Sequence, residues 1–226
     1  ATDASGLPTA ADVAVFNVAE PTTIQIDKAG CTCLYISINA NSKALTFDGE
    51  ETLTLVRSGD SITVENNNRG AYVTTFNCPV LNSNGGGSAD GKDAFYPGCV
   101  YNGLVTINGG LVYFNSGSPA PPAENAKTVF RGGLVCACTR ANGNYLYLNN
   151  VNNALEIDFT DPTRATSGFR SISVQGGIAR IKSGILTVTS ATPNTSAAAS
   201  VLEVDGGTFQ TGSCTLGARL VFKSGL

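Results

Sequence analysis

The chain contains no histidine, no methionine and no tryptophan, and only 14% of its 226 residues are charged. Each absence closes off some chemistry. Without His, a Ser-His-Asp or Cys-His nucleophilic centre cannot be built, and imidazole-ligated metal sites are excluded. Without Trp, the chain lacks a ring that saccharide-cleaving enzymes use for stacking, which counts against that class. No apolar run approaches the roughly 18 residues that a membrane-spanning helix needs. No window carries apolar residues at i, i+3, i+4 and i+7 between caps, so no long helix is expected. The 14 Lys and Arg against 17 Asp and Glu leave a net charge of −3. They form no basic footprint, so nucleic acid is not an expected partner.

What the chain does have is turn formers and β-formers. Glycine occurs 26 times, above the usual share of about 7%, and Asn, Thr and Ser are abundant. Short segments alternate apolar and polar residues: "TTIQID" (22–27), "CLYISIN" (33–39), "ETLTLV" (51–56), "AYVTTF" (71–76), "GLVTIN" (103–108), "YLYLNN" (145–150), "ALEIDF" (154–159), "ILTVTS" (185–190) and "VLEVD" (201–205). Turn clusters such as "DGE", "RSGD" and "ENNNRG" separate them. The class is all-β.

Two architectures compete, a single-stranded right-handed parallel β-helix (a β-solenoid of short strands) and an antiparallel β-sandwich. Gly-Gly pairs at 109–110, 132–133, 176–177 and 206–207 favour the solenoid. Their second glycines are 23, 44 and 30 residues apart, and "NNALEIDF" (152–159) stands near the middle of the longest step. "SATPNTSAAAS" (190–200) reads as an insertion in the 30-residue step. A period of about 20–24 residues suits a coil of three short strands, with Gly or Asn at corners that a Cβ would obstruct. Residues 1–226 then form one solenoid domain. Paired Asn at 67–68, 149–150 and 152–153 are expected to stack as ladders inside turns. Residues 1–20 are a candidate N-terminal extension onto a neighbouring subunit. Segments 82–99 and 115–127, rich in Gly, Pro and Ser, are expected to protrude as loops and are the first candidates for partner contact.

Seven cysteines stand at Cys31, Cys33, Cys78, Cys99, Cys136, Cys138 and Cys214. Residues i and i+2 of a strand share a face, so Cys31 and Cys33 lie together, as do Cys136 and Cys138. All seven are disulfide candidates, and the odd count leaves one free or bonded to another subunit. The chain begins "ATDASG", with neither an initiating Met nor a signal-peptide profile, and a mature secreted protein is expected.

Paired carboxylates could serve glycoside cleavage. The acidic candidates are Asp90 and Asp93, with Glu156, Asp158 and Asp161 around "EIDFTDP". Alternation puts Glu156 and Asp158 on the outer side of one strand, where a solvated face that blunts sheet pairing is the simpler reading. "SADGKDAF" falls short of a calcium-loop pattern. No catalytic residue, cofactor or metal site is therefore assigned. Asn194 opens the sequon "NTS" and is a candidate N-glycosylation acceptor.

Several stretches resemble the autotransporter-associated β-strand repeat proteins. Pro8, Asp12, Ala14 and Phe16 match an entry pattern P-x-x-x-D-x-A-x-F. "ALTFDG" (44–49), "ETLTLVRSGD" (51–60) and "SITVENNN" (61–68) match its strand steps, and "VDGGTFQTG" (204–212) is similar to its recurrent corner. The resemblance covers about half the chain. It implies a β-helical scaffold of the bacterial surface without catalytic residues. The expectation is a non-enzymatic extracellular structural protein that assembles with copies of itself by strand pairing at its ends. The alternative is an adhesin that takes a surface glycan or protein receptor. A polysaccharide-active enzyme is a more distant third.

Overall fold

A computed structural model of the chain describes residues 8–56, 61–68, 71–83, 92–95, 98–108, 111–114, 127–138, 145–148, 154–174, 176–191, 200–214 and 219–224. The first coil comprises β1 (Val13–Phe16), β2 (Thr22–Gln25) and β3 (Thr32–Cys33). The second comprises β4 (Tyr35–Ile38), β5 (Leu45–Asp48) and β6 (Leu53–Leu55), and the third β7 (Ser61–Asn66), β8 (Thr74–Phe76) and β9 (Val80–Asn82). The fourth and fifth follow the same order: β10 (Lys92–Phe95), β11 (Cys99–Tyr101), β12 (Val105–Ile107), then β13 (Leu111–Phe114), β14 (Thr128–Phe130), β15 (Leu134–Cys136). Beyond these lie β16 (Tyr145–Leu148), β17 (Ala154–Asp158), β18 (Ser171–Val174) and β19 (Ile178–Ser183). The last are β20 (Ile185–Ala191), β21 (Val201–Asp205), β22 (Thr208–Cys214) and β23 (Arg219–Ser224).

Every ladder is parallel, and the strands stack into three sheets of a β-solenoid. The first runs β1-β4-β7-β10-β13-β16-β18-β20-β22, the second β2-β5-β8-β11-β14-β17-β19-β21-β23, and the third β3-β6-β9-β12-β15. The antiparallel sandwich is thereby ruled out. No helix occurs among the described residues, so none is long and apolar enough to cross a membrane.

Rungs about 4.8 Å apart place equivalent side chains directly over one another. The inner row of the second sheet carries Phe47, Phe76, Tyr101 and Phe130 in successive rungs. Their rings stack with centroids 4.8, 4.7 and 5.2 Å apart and planes within 13° of parallel. Ile157, Ile181 and Val204 continue the row. Each of these seven side chains is at most 2% exposed. The third sheet contributes Leu53, Val80, Val105 and Leu134 in one inner row. The core therefore consists of continuous columns, each rung buried by its neighbours.

The coil length differs from the expected 20–24 residues. Val13 pairs with Tyr35, 22 residues on, but Leu111 pairs with Tyr145, 34 residues on. Each rung must close its ladder but need not use a fixed number of corner residues, so insertions are absorbed between strands. Beyond β15 the third side narrows to single bridges, Val135 with Ser167 and Ala165 with Ile185. There β20 and β22 lengthen to seven residues each.

The glycine pairs are corners, but not the same corner. Gly132–Gly133 leads into β15 of the third sheet, Gly176–Gly177 into β19 of the second, and Gly206–Gly207 into β22 of the first. The pair at 109–110 lies outside the described residues. What recurs in register is an aromatic at the end of a second-sheet strand, then a polar residue and a tight turn: "FDG", "FNC", "YNG" and "FRG" at 47–49, 76–78, 101–103 and 130–132. The tightness is visible at Gly49, whose φ is +135° and where a Cβ would sit 2.2 Å from the Ile26 carbonyl oxygen. At this corner Asn77 Nδ2 donates to Asp48 Oδ1 at 3.0 Å and Asn102 Nδ2 donates to Asn77 Oδ1 at 2.8 Å. An asparagine ladder thus exists, but away from the expected pairs. Of those, Asn68 is buried and its Nδ2 reaches the Ser42 carbonyl at 3.4 Å, while 149–150 and 152–153 lie outside the described residues.

Within the 1–20 segment, β1 pairs in cis with β4, and a turn in which Thr9 N and Oγ1 donate to Asp12 Oδ2 (2.8 and 2.7 Å) leads into it. The 82–99 segment is not wholly a loop, because β10 within it pairs with β7 and β13. Residues 84–91 and 115–126 lie outside the described residues.

Candidate functional site

Two surfaces stand out from the repeating body, the terminal rungs and the outer face of the second sheet. At one end, the inner row of aromatic and branched residues finishes on Phe222 of β23, which pairs with Val204. Phe222 is an inward residue by register, yet it is 58% exposed, because no described rung lies over it. Leu220 beside it and Phe209 of β22 are only partly buried against the same core. At the other end Ala14, Phe16 and Ile24 of the first rung are likewise partly buried. Among the described strands, β1, β2, β22 and β23 each pair on one side only.

The outer face of the second sheet alternates charge by rung. Glu156 of β17 lies opposite Arg180 of β19, which lies opposite Glu203 of β21. Lys127 precedes β14, one rung before Glu156, and its Nζ donates to both carboxylate oxygens at 3.2 and 3.1 Å. Lys182 Nζ stands 3.3 Å from Glu156 Oε1 and Arg180 Nη1 3.7 Å from Oε2. Arg180 Nε donates to Glu203 Oε1, and Lys223 Nζ lies 2.9 Å from Glu203 Oε2. Arg131 Nε sits 3.5 Å from Asp158 Oδ2 at the edge of the group. The lysines owe their positions to two equivalent irregularities. The register shifts after Ile157 on β17 and after Val204 on β21, so Asp158 meets Ser183 and Asp205 meets Ser224. Lys182 and Lys223 are the extra residues, and such bulges re-aim a side chain. Each lysine turns back to a glutamate on the preceding rung.

Burial here overturns the solvated-face reading of Glu156, whose side chain is 3% exposed beneath three cations. Burial raises the carboxyl of Glu203, but its hydrogen bonds from Arg180 and Lys223 outweigh this and hold it below the ordinary value. The Glu203 hydrogen bond raises Arg180 in turn, against its own burial. Glu156 and Asp158 are thus each tied to cations, not set as a free acid and base.

The other acidic candidates are dispersed. Asp161 Oδ1 accepts from Thr163 N at 2.9 Å and Thr163 Oγ1 at 2.7 Å, bonds that lower its carboxyl and close the turn after β17. The backbone of Asp93 lies in β10, paired with Ser61 and Val112. Asp90 and Asn194 lie outside the described residues. Among the described residues no three His, Cys, Asp or Glu are grouped to hold a metal ion.

Among the described residues none of the disulfide candidates is paired with another. Cys31, Cys33, Cys78, Cys99, Cys136 and Cys138 are not joined in disulfides, and the side chain of Cys214 is outside the described set. Parallel stacking explains why, since a cysteine meets whatever occupies its row in the next rung. Cys33 faces Leu55, Cys99 faces Thr74 and Thr128, and Cys136 faces Ile107. Burial, with Cys31 and Asp12 adding to it, pushes Cys33 up to about 12. Burial pushes Cys99 to about 12 despite the Asn66 amide, and Cys78 to about 11. Such thiols are neither nucleophiles nor metal ligands at neutral pH.

The ionic ladder had a signature in the sequence that periodicity reasoning passed over. "LEID" (155–158) and "RIKSG" (180–184) recur as "LEVD" (202–205) and "VFKSG" (221–225), a repeat two rungs long. No protein-family model, no curated protein and no solved structure matches the chain.

Proposed function

We propose that the chain is a non-enzymatic structural subunit of the extracellular surface that assembles end to end with copies of itself into fibres. The observation that carries this reading is Phe222, an inward residue at the end of a row whose members from Phe47 to Val204 are at most 2% exposed, itself left 58% exposed at the last described rung. In a stacked pair, β22 and β23 of one copy would add to β1 and β2 of the next, placing Phe222 against Ile24. Closing an open parallel edge restores backbone hydrogen bonds of about 1 kcal/mol each. Burying one Phe contributes about 1.5–3 kcal/mol more. Surface location and kinship with the autotransporter-associated repeats belong to the same proposal and rest on the motifs they share.

Negative-stain microscopy and sedimentation of the purified chain test the reading. Filaments that lengthen with concentration and vanish in Phe222→Asp are the expected result. A chain that stays monomeric at high concentration without reducing agent overturns it.

A further inference from the structure

We propose that the outer face of the second sheet, from β14 to β23, binds an anionic glycan laid along the solenoid axis. The argument is independent of end-to-end assembly. Five of the chain's 14 Lys and Arg gather here: Lys127, Arg131, Arg180, Lys182 and Lys223. Their side chains are 29–51% exposed, while Glu156 and Glu203 lie beneath at 3% and 8%. Five cations meet four carboxylates, counting Asp158 and Asp205, on a chain whose net charge is −3. Glu156 and Glu203 form a buried floor that fixes Lys127, Arg180, Lys182 and Lys223, and the positive groups are the more exposed.

Geometry selects the partner. Cations occupy alternate rungs: Lys127 and Arg131 flank β14, Arg180 and Lys182 lie on β19, and Lys223 lies on β23. The repeat of two rungs is about 9.6 Å. An extended glycan with one acid group per disaccharide presents its charges on that scale. Arg180 commits Nε and Nη1 to the glutamates, and a guanidinium has five donors, an ammonium three. Donors therefore remain for the ligand, already oriented by the floor, so little side-chain entropy is lost on binding. A duplex nucleic acid spaces its phosphates more densely and favours a broader basic surface than this single strip.

The test is titration of the full chain with hyaluronate, which carries one carboxylate per disaccharide, against neutral dextran, polyglutamate and duplex DNA. Hyaluronate should bind, more weakly as salt rises, and dextran should not. Lys182→Gln with Lys223→Gln should weaken binding tenfold or more, whereas Lys→Arg at both positions should preserve it. Should the double Gln variant fail to fold, Arg131→Gln, paired only at the edge, should still weaken binding severalfold. Phe222→Asp should bind hyaluronate as the parent does, which separates this surface from the fibre ends. No binding, binding unchanged in the Gln variants, or equally tight binding of polyglutamate or DNA overturns the proposal.

Discussion

Replacing Phe76 by Ala removes an inner ring of the aromatic stack, and the same change at Phe222 removes the uncovered end of the row that the stack belongs to. Phe76 is fully buried, with Phe47 stacked on one side at 4.8 Å and Tyr101 on the other at 4.7 Å. Both neighbours are held by their own ladders and cannot collapse into the gap. The cost should therefore fall in the upper part of the range for buried Phe→Ala, about 4–5 kcal/mol. Phe222 keeps more than half its surface in water, so its loss should cost about 1 kcal/mol or less. With a urea dependence of about 3 kcal/mol per molar, the midpoint should drop by about 1.5 M for Phe76→Ala and about 0.3 M for Phe222→Ala. Both measurements belong at concentrations where the chain is monomeric. Hydrogen exchange adds a local check, because the amides of Asn102 and Gly103 donate to the Phe76 carbonyl and should lose protection only in Phe76→Ala. Equal midpoint shifts, or a larger one for Phe222→Ala, would refute the assignment of one continuous inner row.

Gly49→Ala, at φ +135° and facing the Ile26 carbonyl, should cost about 3 kcal/mol or more. Gly30→Ala, at φ +79° with open space around it, should cost about 1 kcal/mol, and thermal unfolding compares the two. Thiol labelling of the native chain should modify the half-buried Cys31 and Cys138 first, leaving Cys33, Cys78 and Cys99 until urea is added. Mass spectrometry of the peptides reads the order. The folded carboxyl of Glu203 titrates below its ordinary 4.5, so its contribution is present above that pH and is lost as pH falls through the folded value. Stability measured by urea should thus decline more between pH 6 and pH 3 in the parent than in Glu203→Gln.

The strands were legible because each is an alternation that one buried face imposes. "ALEID" and "VLEVD" read as strands from their own letters, and they are. Equivalence between coils was less legible. The Gly-Gly pairs looked like one recurring corner but occupy three different ones, because any tight turn selects glycine. The aromatic row at 47, 76, 101 and 130 marks the true register, though its uneven steps hide it from a search for a fixed period. Glu156 shows the limit most clearly: its outward position was readable, whereas its burial was not. That burial depends on Lys127, Arg180 and Lys182, which lie 24–29 residues away and on neighbouring rungs.

The sequence by itself determined the all-β class, the short strands, the turn chemistry, and the absence of any histidine-based chemistry. These are local matters, set by which residues tolerate extended or positive-φ backbone and by which side chains exist. Only the tertiary structure decided which residues share a row, which cysteines face one another, and which charges meet. Those outcomes depend on register between rungs, and register is set by ladder hydrogen bonds and column packing across insertions of varying length. One residue gained or lost at a corner leaves the local pattern intact, whereas a slip of one residue in a ladder would change every partner along it.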